Sequence, residues 1–247
     1  MILRHGIYAQ YQEQGIVTDN LVQNLDAGNS LSYPGTGTLW TDTINGYNAT
    51  LINGAIYNTD GGGNITFDSV NDYGSIAHNS DLNLELGDFS FCIWVKYNGA
   101  SLTTTSVIET LISKGVYNVN GSEWELIFRG GSFNGFYFRI RVGGVAEDIN
   151  LSSDQRSILE DGNFHMITVS IEKGALNEGR MYLDNNLVGT RSSVTLNINN
   201  TAPLYIARYE TVYGAVKVAN QLIYKNKGLT DLEVQQNFDA TKSRYGY

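Results

Sequence analysis

The stretch Leu222–Tyr247, LIYKNKGLTDLEVQQNFDATKSRYGY, decides the fold prediction. It opens on the β-type run LIY and continues, after a short turn, into the strongest helix signal of the sequence. Thr230 and Glu233 have the spacing of a capping box, in which the Thr hydroxyl accepts from the N3 amide and the N3 carboxylate reaches back to the cap. The stretch therefore predicts a last strand followed by one short closing helix over residues 230–244.

The predicted helix has an apolar side and a basic end. Lys242 and Arg244 stand at the end, where positive charge is favourable beside the negative pole of the helix dipole. The apolar side, which we expect to pack against the core, consists of residues about one turn apart: Leu232, Val234, Phe238 and Thr241.

The rest of the chain reads as β-structure. It contains 27 glycines and 16 tyrosines but only two prolines, a composition that suits tight hairpin turns and pleated surfaces. Apolar and polar residues alternate over Phe89–Tyr97 and Gly135–Val142, which predicts strands with one buried face and one wet face. Roughly a dozen short strands with regular turn signals predict an all-β, two-sheet antiparallel sandwich. The other main strand predictions are Val107–Ser113, Trp124–Arg129, Phe164–Glu172, Gly179–Val188, Val194–Ile198, Leu204–Ala207 and Val216–Tyr224.

The chain reads as one domain with a short leading segment. Residues 1–15 fit no strand pattern, so we expect an N-terminal arm outside the core, ordered by a partner. Residues 16–247 form the predicted domain, including the closing helix. The single cysteine, Cys92, lies in an apolar run and is predicted to be buried.

Charge and hydropathy exclude two classes of partner. The net charge is −9 and the pI is near 4.7, and the 16 basic residues form no run or stripe. Nucleic-acid binding needs a phosphate-neutralising patch, so we expect no nucleic-acid partner. No segment approaches the ~20 apolar residues of a membrane span and no signal peptide is visible, so we expect a protein that is soluble as synthesised, without a membrane partner.

Five segments in the right order resemble the laminin-G-like, or concanavalin A-like, jelly-roll family. The resemblance runs over residues 64–240 and implies a jelly-roll form of the sandwich. Two segments depart from the family pattern, with Ser69 and Asn185 where a glycine is usual. The segments are Phe67-Asp68 with Asn71-Asp72-Tyr73, Leu86–Lys96, Asp161–Val169, Arg180–Asn186, and the closing strand with Leu229.

Two further segments are similar to bacteriophage and marine-virus structural proteins with this jelly roll. They are the leader over residues 25–40 and the ending Glu233–Gly246. This resemblance implies a virion component (a capsid decoration, head-fibre or tail-associated protein) that is present in multiple copies with other virion proteins as partners. Its location would be the virion, after a soluble stage in the host cytoplasm. The residues expected to dock on those partners are Arg4, Tyr8, Tyr11, Arg244, Tyr245 and Tyr247.

Calcium is the one cofactor that the family resemblance implies as possible. Laminin-G-like domains often hold this cation with loop carboxylates and carbonyls, which suits its preference for six to eight oxygen ligands. The matching acids here are Asp26, Asp68 and Asp72. The same residues suit the capping of turns through Asx hydrogen bonds, and that interpretation is the favoured one.

Aromatic residues near predicted loops are candidates for contact with a glycan, such as a cell-surface polysaccharide, or with a protein partner. An exposed ring offers a stacking face to a sugar and a large contact area to a protein, and sequence does not separate these roles. Some of these rings are expected in the core instead. The candidates are Tyr33, Tyr47, Tyr117, Trp124, Tyr209 and Tyr213.

No arrangement of residues predicts catalysis. Glycoside hydrolases of this fold resemble one another in an E-x-D-x-x-E strand, which is absent here. The nearest feature is Glu123-Trp124-Glu125, read as paired acids on a wet strand face around a buried Trp. His165 matches a structural histidine of the family. We therefore predict a non-enzymatic virion structural protein; the alternatives are a calcium-assisted lectin module outside a virus particle and, least favoured, a glycoside hydrolase.

Overall fold

The structure, a computed structural model, describes residues 14–98, 108–116, 121–129, 135–151, 153–174 and 177–247. These residues form two large antiparallel sheets packed face to face, with a helix near the C-terminus, which confirms the predicted all-β jelly-roll sandwich. The expected arm falls largely on residues 1–13, outside the described residues, so its boundary stays a prediction. Within the described ranges, no helix has the length and apolar character needed to cross a membrane.

Eighteen strands and two α-helices are formed by the described residues. The strands are Leu21–Asp26 (β1), Leu39–Trp40 (β2), Ala49–Ile52 (β3), Ile56–Asn58 (β4), Asn64–Thr66 (β5), Tyr73–Ile76 (β6), Phe89–Tyr97 (β7), Ile108–Gly115 (β8), Ser122–Arg129 (β9), Gly135–Val142 (β10), Val145–Asn150 (β11), His165–Glu172 (β12), Glu178–Leu183 (β13), Asn186–Arg191 (β14), Leu204–Ile206 (β15), Arg208–Tyr209 (β16), Val212–Tyr213 (β17) and Val216–Lys225 (β18). The helices are Ser153–Leu159 (α1) and Asp231–Thr241 (α2), and a 3₁₀ turn, Lys242–Tyr245, follows α2.

The two sheets have eight strands each. The first sheet runs β14-β13-β12-β7-β18-β5-β4, and β1 also pairs with β18 along the edge that it shares with β5. The second sheet runs β11-β10-β9-β8-β15-β6-β3-β2. The short hairpin β16–β17 stands apart from both sheets.

Strand β7 is buried on both faces, which the alternating pattern did not predict. Phe89 and Phe91 point between the sheets, where they pack on Trp124 of the second sheet. Cys92 and Trp94 point the other way, yet they are only 1% exposed because α2 covers that side. The expected wet face of β7 is therefore wrong, whereas the predicted burial of Cys92 is confirmed.

Helix α2 and the residues after it form a third layer on the first sheet. Thr230 caps the helix as predicted: its hydroxyl accepts from the Glu233 amide, and the Glu233 carboxylate accepts from the Thr230 amide. Phe238 stacks on Trp94 from the inner side. Leu232 was expected on that side as well, but it is 81% exposed, because the helix turns it toward solvent.

Three local predictions differ from the structure. The segment 194–198 is not a strand, because Glu147 accepts hydrogen bonds from the amides of Thr195 and Leu196 and so occupies donors that a strand would use. Strand β11 and helix α1 were not predicted. The sequence of β11, VAEDIN, has two exposed residues before its buried ones, so its periodicity is weak.

A histidine between two carboxylates ties the end of the chain to the first sheet. His165 Nδ1 lies 2.6 Å from Asp184 Oδ2, and its Nε2 lies 3.0 Å from Asp161 Oδ1. The Tyr247 hydroxyl donates into the same group, 3.0 Å from Asp184 Oδ2. Burial lowers the pKa of His165, but the hydrogen bonds to Asp184 and Asp161 outweigh it and raise this pKa above its ordinary 6.5.

We expect His165→Gln to remove a pH-dependent part of the stability. A raised folded-state pKa adds stability that is fully present below pH 6.5 and is lost as pH rises through the folded pKa. Urea unfolding at about pH 5.5 and about pH 8.5 should show the wild type losing roughly 1 kcal/mol more than the variant between the two conditions. Equal losses in both proteins would show that the histidine is neutral in this contact.

Candidate functional site

A single row of side chains crosses six strands on the outer face of the second sheet. Successive side chains of a strand point to opposite faces of the sheet. Trp124 and Phe138, which precede two members of the row in sequence, point into the core, so the row points away from the core. Backbone register places its members side by side. In order across the sheet they are Ser75, Tyr205, Ser113, Glu125, Arg139 and Asp148.

The centre of this face carries two buried carboxylates. Glu123 is 1% exposed and Glu125 is fully buried. Arg141 makes an ion pair with Oε1 of Glu123, and the Tyr209 hydroxyl donates to Oε2 at 2.6 Å. Burial raises the pKa of Glu123, and these two partners oppose that shift. Both oxygens of Glu123 are therefore occupied from within the protein.

A second ion pair, next to Glu123 and Glu125, fixes the position of Arg139 on the same face. Arg139 donates from Nε and Nη2 to the two carboxylate oxygens of Asp148, each at 2.7 Å. This bidentate geometry is the strong form of an arginine–carboxylate pair. It raises the pKa of Arg139, with a smaller contribution from Glu125. The pair holds one edge of the face rigid.

The β16–β17 hairpin covers the carboxylates. It folds back onto β8, where the Ser113 hydroxyl donates to the Arg208 carbonyl at 2.6 Å. Gly214, just after the hairpin, approaches so closely that an added Cβ would lie 2.3 Å from the Thr110 carbonyl oxygen. The expected wet strand face around Glu123 and Glu125 is therefore wrong, because this hairpin places Tyr209 over it.

A group of aromatic rings lies beside the covered carboxylates. Tyr73, Tyr205 and Tyr213 surround the guanidinium of Arg208 and are all partly exposed. The Arg208 guanidinium carbon lies 4.4 Å from the ring centre of Tyr73 and 4.7 Å from that of Tyr205, within cation–π range. We call these four residues the tyrosine cluster. It joins three separate elements, β6, β15 and the hairpin, into one surface.

The predicted aromatic contacts fall in different places. Tyr213 belongs to the tyrosine cluster, while Tyr209 is 7% exposed and holds Glu123. Trp124 is fully buried between the sheets and offers no surface to a sugar or partner, which corrects that prediction. Tyr33 is 4% exposed, because its hydroxyl bonds the Gly37 carbonyl, so it is corrected too.

Two further candidates are not assigned to the tyrosine cluster. Tyr47 donates to Asp81 at 2.8 Å. Tyr117 lies outside the described residues. Sequence reasoning did not select Tyr205 and Arg208 as contacts; the signal that could have found them is the alternation in LYIARY, which sends Tyr205 to the outer face.

The residues expected to dock on partners bind within the domain instead. Arg244 pairs with Asp26 at 2.9 Å, and Tyr245 is 9% exposed because it stacks on Trp94. Tyr247 is half exposed and bonds to the His165 group. Arg4, Tyr8 and Tyr11 lie outside the described residues. The ion pair of Arg244 and the burial of Tyr245 correct their predicted role as free docking contacts.

The three candidate calcium ligands behave differently. Asp26 is engaged by Arg244 and by the Gly28 amide, so it is not available to a cation. Asp68 caps its turn by accepting from the Val70 amide, as the favoured interpretation predicted. Asp72 is 4% exposed and forms no hydrogen bond through its carboxylate within the described part of the chain.

The like charges of Asp68 and Asp72 act on each other across this turn. Burial raises the pKa of Asp72, and the neighbouring Asp68 charge raises it further. A divalent cation bound by both carboxylates would supply the missing counter-charge. Within the described ranges, no group of three or more His, Cys, Asp or Glu residues could hold a metal, so remaining ligands would have to be carbonyls or water.

Residues 67–234 match the concanavalin A-like lectin/glucanases superfamily, and the chain belongs to this family. No curated protein sequence matches the chain. The solved structures that are similar to it include the following three. They are Trypanosoma rangeli sialidase in complex with sialic acid (TM-score 0.62, 14% identity, 94% of this chain and 35% of that chain), the binding domain of Paraclostridial Mosquitocidal Protein 1 (0.62, 18%, 89% and 52%), and the botulinum neurotoxin serotype D ligand binding domain in complex with N-acetylneuraminic acid (0.66, 15%, 90% and 51%).

These similarities define the fold and leave the activity open. The chain spans about half of the two binding domains and about a third of the sialidase. The group contains both an enzyme and binding domains, so the shared fold does not by itself establish whether this protein is an enzyme. The lectin-like character of the jelly roll is common to the family and its neighbours.

We expect Asp72→Asn to raise the stability of the domain without calcium and to remove its stabilisation by calcium. In a chelator the variant should be more stable than the wild type by roughly 1 kcal/mol, because a buried charge without a partner is removed. With calcium at about 1 mM, the melting temperature of the wild type should rise and that of the variant should not. Asp26→Asn serves as the control and should keep the calcium response. Equal calcium responses in wild type and Asp72→Asn would exclude the site.

Tyr209→Phe should destabilise the domain by about 1–3 kcal/mol, since it leaves one oxygen of the buried Glu123 without its donor. Urea unfolding at neutral pH measures the difference. Tyr213→Phe is the matched control, because no hydrogen bond of its hydroxyl is formed among the described residues, and it should change stability by less than about 0.5 kcal/mol. An equal loss in both variants would mean that the Tyr209 contact adds nothing specific.

Proposed function

We propose that this domain is a non-enzymatic carbohydrate-binding module whose recognition surface is the tyrosine cluster. The observation that supports this most is the arrangement of three partly exposed rings around one guanidinium. Aromatic faces pack against the apolar faces of sugar rings, and a few fixed polar groups supply orientation. The cluster provides both kinds of group on one surface.

The cluster is also held in place before any ligand arrives. The ring of Tyr73 meets that of Tyr205 edge-on at 5.7 Å, and Arg208 is anchored through its own carbonyl to Ser113. The Arg208 Nε donates to the Glu210 carbonyl at 2.9 Å. A surface that does not reorganise loses less conformational entropy on binding, which favours affinity.

The buried carboxylates favour binding over hydrolysis. A general acid or nucleophile must come within hydrogen-bond reach of the glycosidic bond. The two carboxylate oxygens of Glu123 bind Arg141 and Tyr209, and Glu125 is fully buried. A sugar on the outer face would therefore meet the hairpin and the tyrosine cluster, not a carboxylate pair.

The bound sugar could be acidic or neutral, and one binding experiment distinguishes the two. Two of the similar structures are named as complexes with sialic acid or N-acetylneuraminic acid, which are acidic sugars. Arg208 would pair with such a carboxylate, whereas the rings alone would suffice for a neutral polysaccharide. Binding to sialylated and to neutral glycans therefore reports which part of the cluster is used.

The proposal extends to a structural role in a virus particle. Its support is the resemblance of residues 25–40 and of Glu233–Gly246 to phage and marine-virus structural proteins. In that setting the protein would decorate a capsid, head fibre or tail in multiple copies beside other virion proteins, and adhesion to host glycans would gain strength from avidity. The docking contacts would fall outside Arg244 and Tyr245, which are bound within the domain.

A second candidate is a calcium-assisted lectin outside a virus particle. The observation that favours it is the buried Asp72 carboxylate beside Asp68. Calcium there would act on the loop before β6, which carries Tyr73 of the tyrosine cluster. Glycan binding that a chelator abolishes would favour this candidate over the first.

Glycan-array screening followed by calorimetry tests the proposed function. Tyr73→Ala and Tyr213→Ala should each weaken binding roughly tenfold, which corresponds to about 1.4 kcal/mol. Tyr57→Ala is the matched control: its ring is partly exposed on β4 of the first sheet, against Tyr33, and its loss should leave affinity unchanged. No glycan binding, equal weakening in the control, or sugar release that depends on Glu123 would overturn the proposal; absence from purified particles would overturn its virion part.

A further inference from the structure

A buried lysine lies at the end of strand β8 without an acidic partner. Lys114 is fully buried, and its Nζ lies 2.6 Å from the Ala202 carbonyl oxygen and 3.2 Å from Asn200 Oδ1. Its other contacts are His78 Nδ1 at 3.2 Å and the Asn200 backbone carbonyl oxygen at 3.5 Å. Among the described residues, no carboxylate forms an ion pair with it. An ammonium in this setting lacks the counter-charge that buried lysines usually require.

The environment of Lys114 makes its amine available as a nucleophile. Burial lowers the pKa of Lys114 to about 8, and no charged neighbour opposes the shift. About a tenth of the side chains are then neutral at pH 7, far more than for an exposed lysine. Desolvation and the Lys114 charge lower the pKa of His78, so its ring is neutral at pH 7 and its Nδ1, 3.2 Å from Nζ, can take up a proton as the amine attacks.

The carboxamide of Asn200 is held in front of that amine. Its Nδ2 donates to the Ser122 carbonyl at 2.9 Å, and its Oδ1 accepts from the Ala202 amide at 3.1 Å. Gly115 leaves room on this side, since a Cβ there would lie 2.9 Å from Nδ2. The carbonyl carbon is about 1.2 Å from Oδ1, so Lys114 Nζ lies within about 4.4 Å of it, and an approach of at most about 1 Å would bring the two atoms to the 3–3.5 Å of a near-attack geometry.

We propose that Lys114 and Asn200 join through an intramolecular isopeptide bond. The lone pair of the neutral Nζ attacks Cγ of Asn200, and the Ala202 amide stabilises the negative charge that develops on Oδ1. The Nζ–Cγ bond forms, the Cγ–Nδ2 bond breaks, and protons carried by His78 leave with Nδ2 as ammonia. The lysine ammonium and the primary amide thus become a secondary amide and an ammonium ion, without an oxidant or a cofactor.

The cross-link would tie together parts of the second sheet that are distant in sequence. Lys114 and Asn200 are 86 positions apart, and the bond would fasten β8 to the segment that leads into β15. Those two strands frame the tyrosine cluster through Tyr205 and the hairpin. A covalent tie of a long loop restricts the unfolded chain, as disulfides do, so it raises resistance to unfolding.

The intact mass of the purified wild-type chain tests the bond directly. We expect a mass below that of the sequence by about 17 Da, the released ammonia, after incubation at about pH 8.5. Trypsin should then fail to cleave after Lys114 and yield residues 97–129 joined to residues 192–208. This branched peptide distinguishes the bond from a cyclic imide at an Asn-Gly sequence, which also loses ammonia but leaves the peptides separate.

Two variants assign the roles. Lys114→Met should show the full sequence mass and its ordinary tryptic peptides, and His78→Phe should form the bond several-fold more slowly. A wild-type chain that keeps its full mass after prolonged incubation would overturn the proposal without reliance on any variant. Finding the same branched peptide in Lys114→Met would overturn it equally, because the link would then not involve the lysine.

Discussion

The stacking of Tyr245 on Trp94 is the contact on which the arrangement of this molecule depends. The two ring centres are 4.0 Å apart, and Trp94 also donates from Nε1 to the Thr241 hydroxyl at 2.8 Å. Together with Phe238, these contacts bury the outer face of the first sheet under a third layer. A sandwich needs to bury only the faces between its sheets. Here one outer face is closed as well, which leaves the outer face of the second sheet as the surface open to a ligand.

The outer face of the second sheet contains charged side chains that are buried. Buried ionic groups add stability only when their partners are well placed, since desolvation opposes the gain. Glu123 meets Arg141 and Tyr209, and Arg139 meets Asp148 in bidentate geometry. These contacts specify the position of the hairpin and with it the position of the exposed rings. The buried charges therefore help to fix the position of the exposed aromatic rings.

The sequence predicted the layers better than the surfaces. Alternation in Phe89–Tyr97 and Gly135–Val142 gave both strands with their observed bounds, and the Thr230–Glu233 pair gave the start of α2, because these signals depend on contacts within a few residues. The site depends on contacts between distant segments. Tyr205 meets Tyr73 only through the pairing of β15 with β6, and no local pattern encodes that pairing.

The same distinction explains the errors. Trp124 alternates with two glutamates, so its neighbours suggest an exposed strand, yet sheet packing buries Trp124 and the β16–β17 hairpin covers the glutamates. Arg244 and Tyr245 have the composition of a docking tail, but Asp26 and Trp94, far away in sequence, bind them. In each case the neighbouring sequence is the same whether a polar or aromatic residue makes its contacts within the domain or is exposed for a partner. Only the three-dimensional partner separates the two.

The position of strand β18 governs the order in which this chain can fold. It has β7 on one edge and both β5 and β1 on the other, so the first sheet has no continuous centre until residues 216–225 are present. The Tyr224 hydroxyl reaches the Val17 carbonyl across 207 positions, and closing so long a loop precedes any gain from the contact. The first sheet can therefore close only after residues 216–225 have been synthesised, and until then the apolar strand β7 has a partner, β12, on only one of its edges.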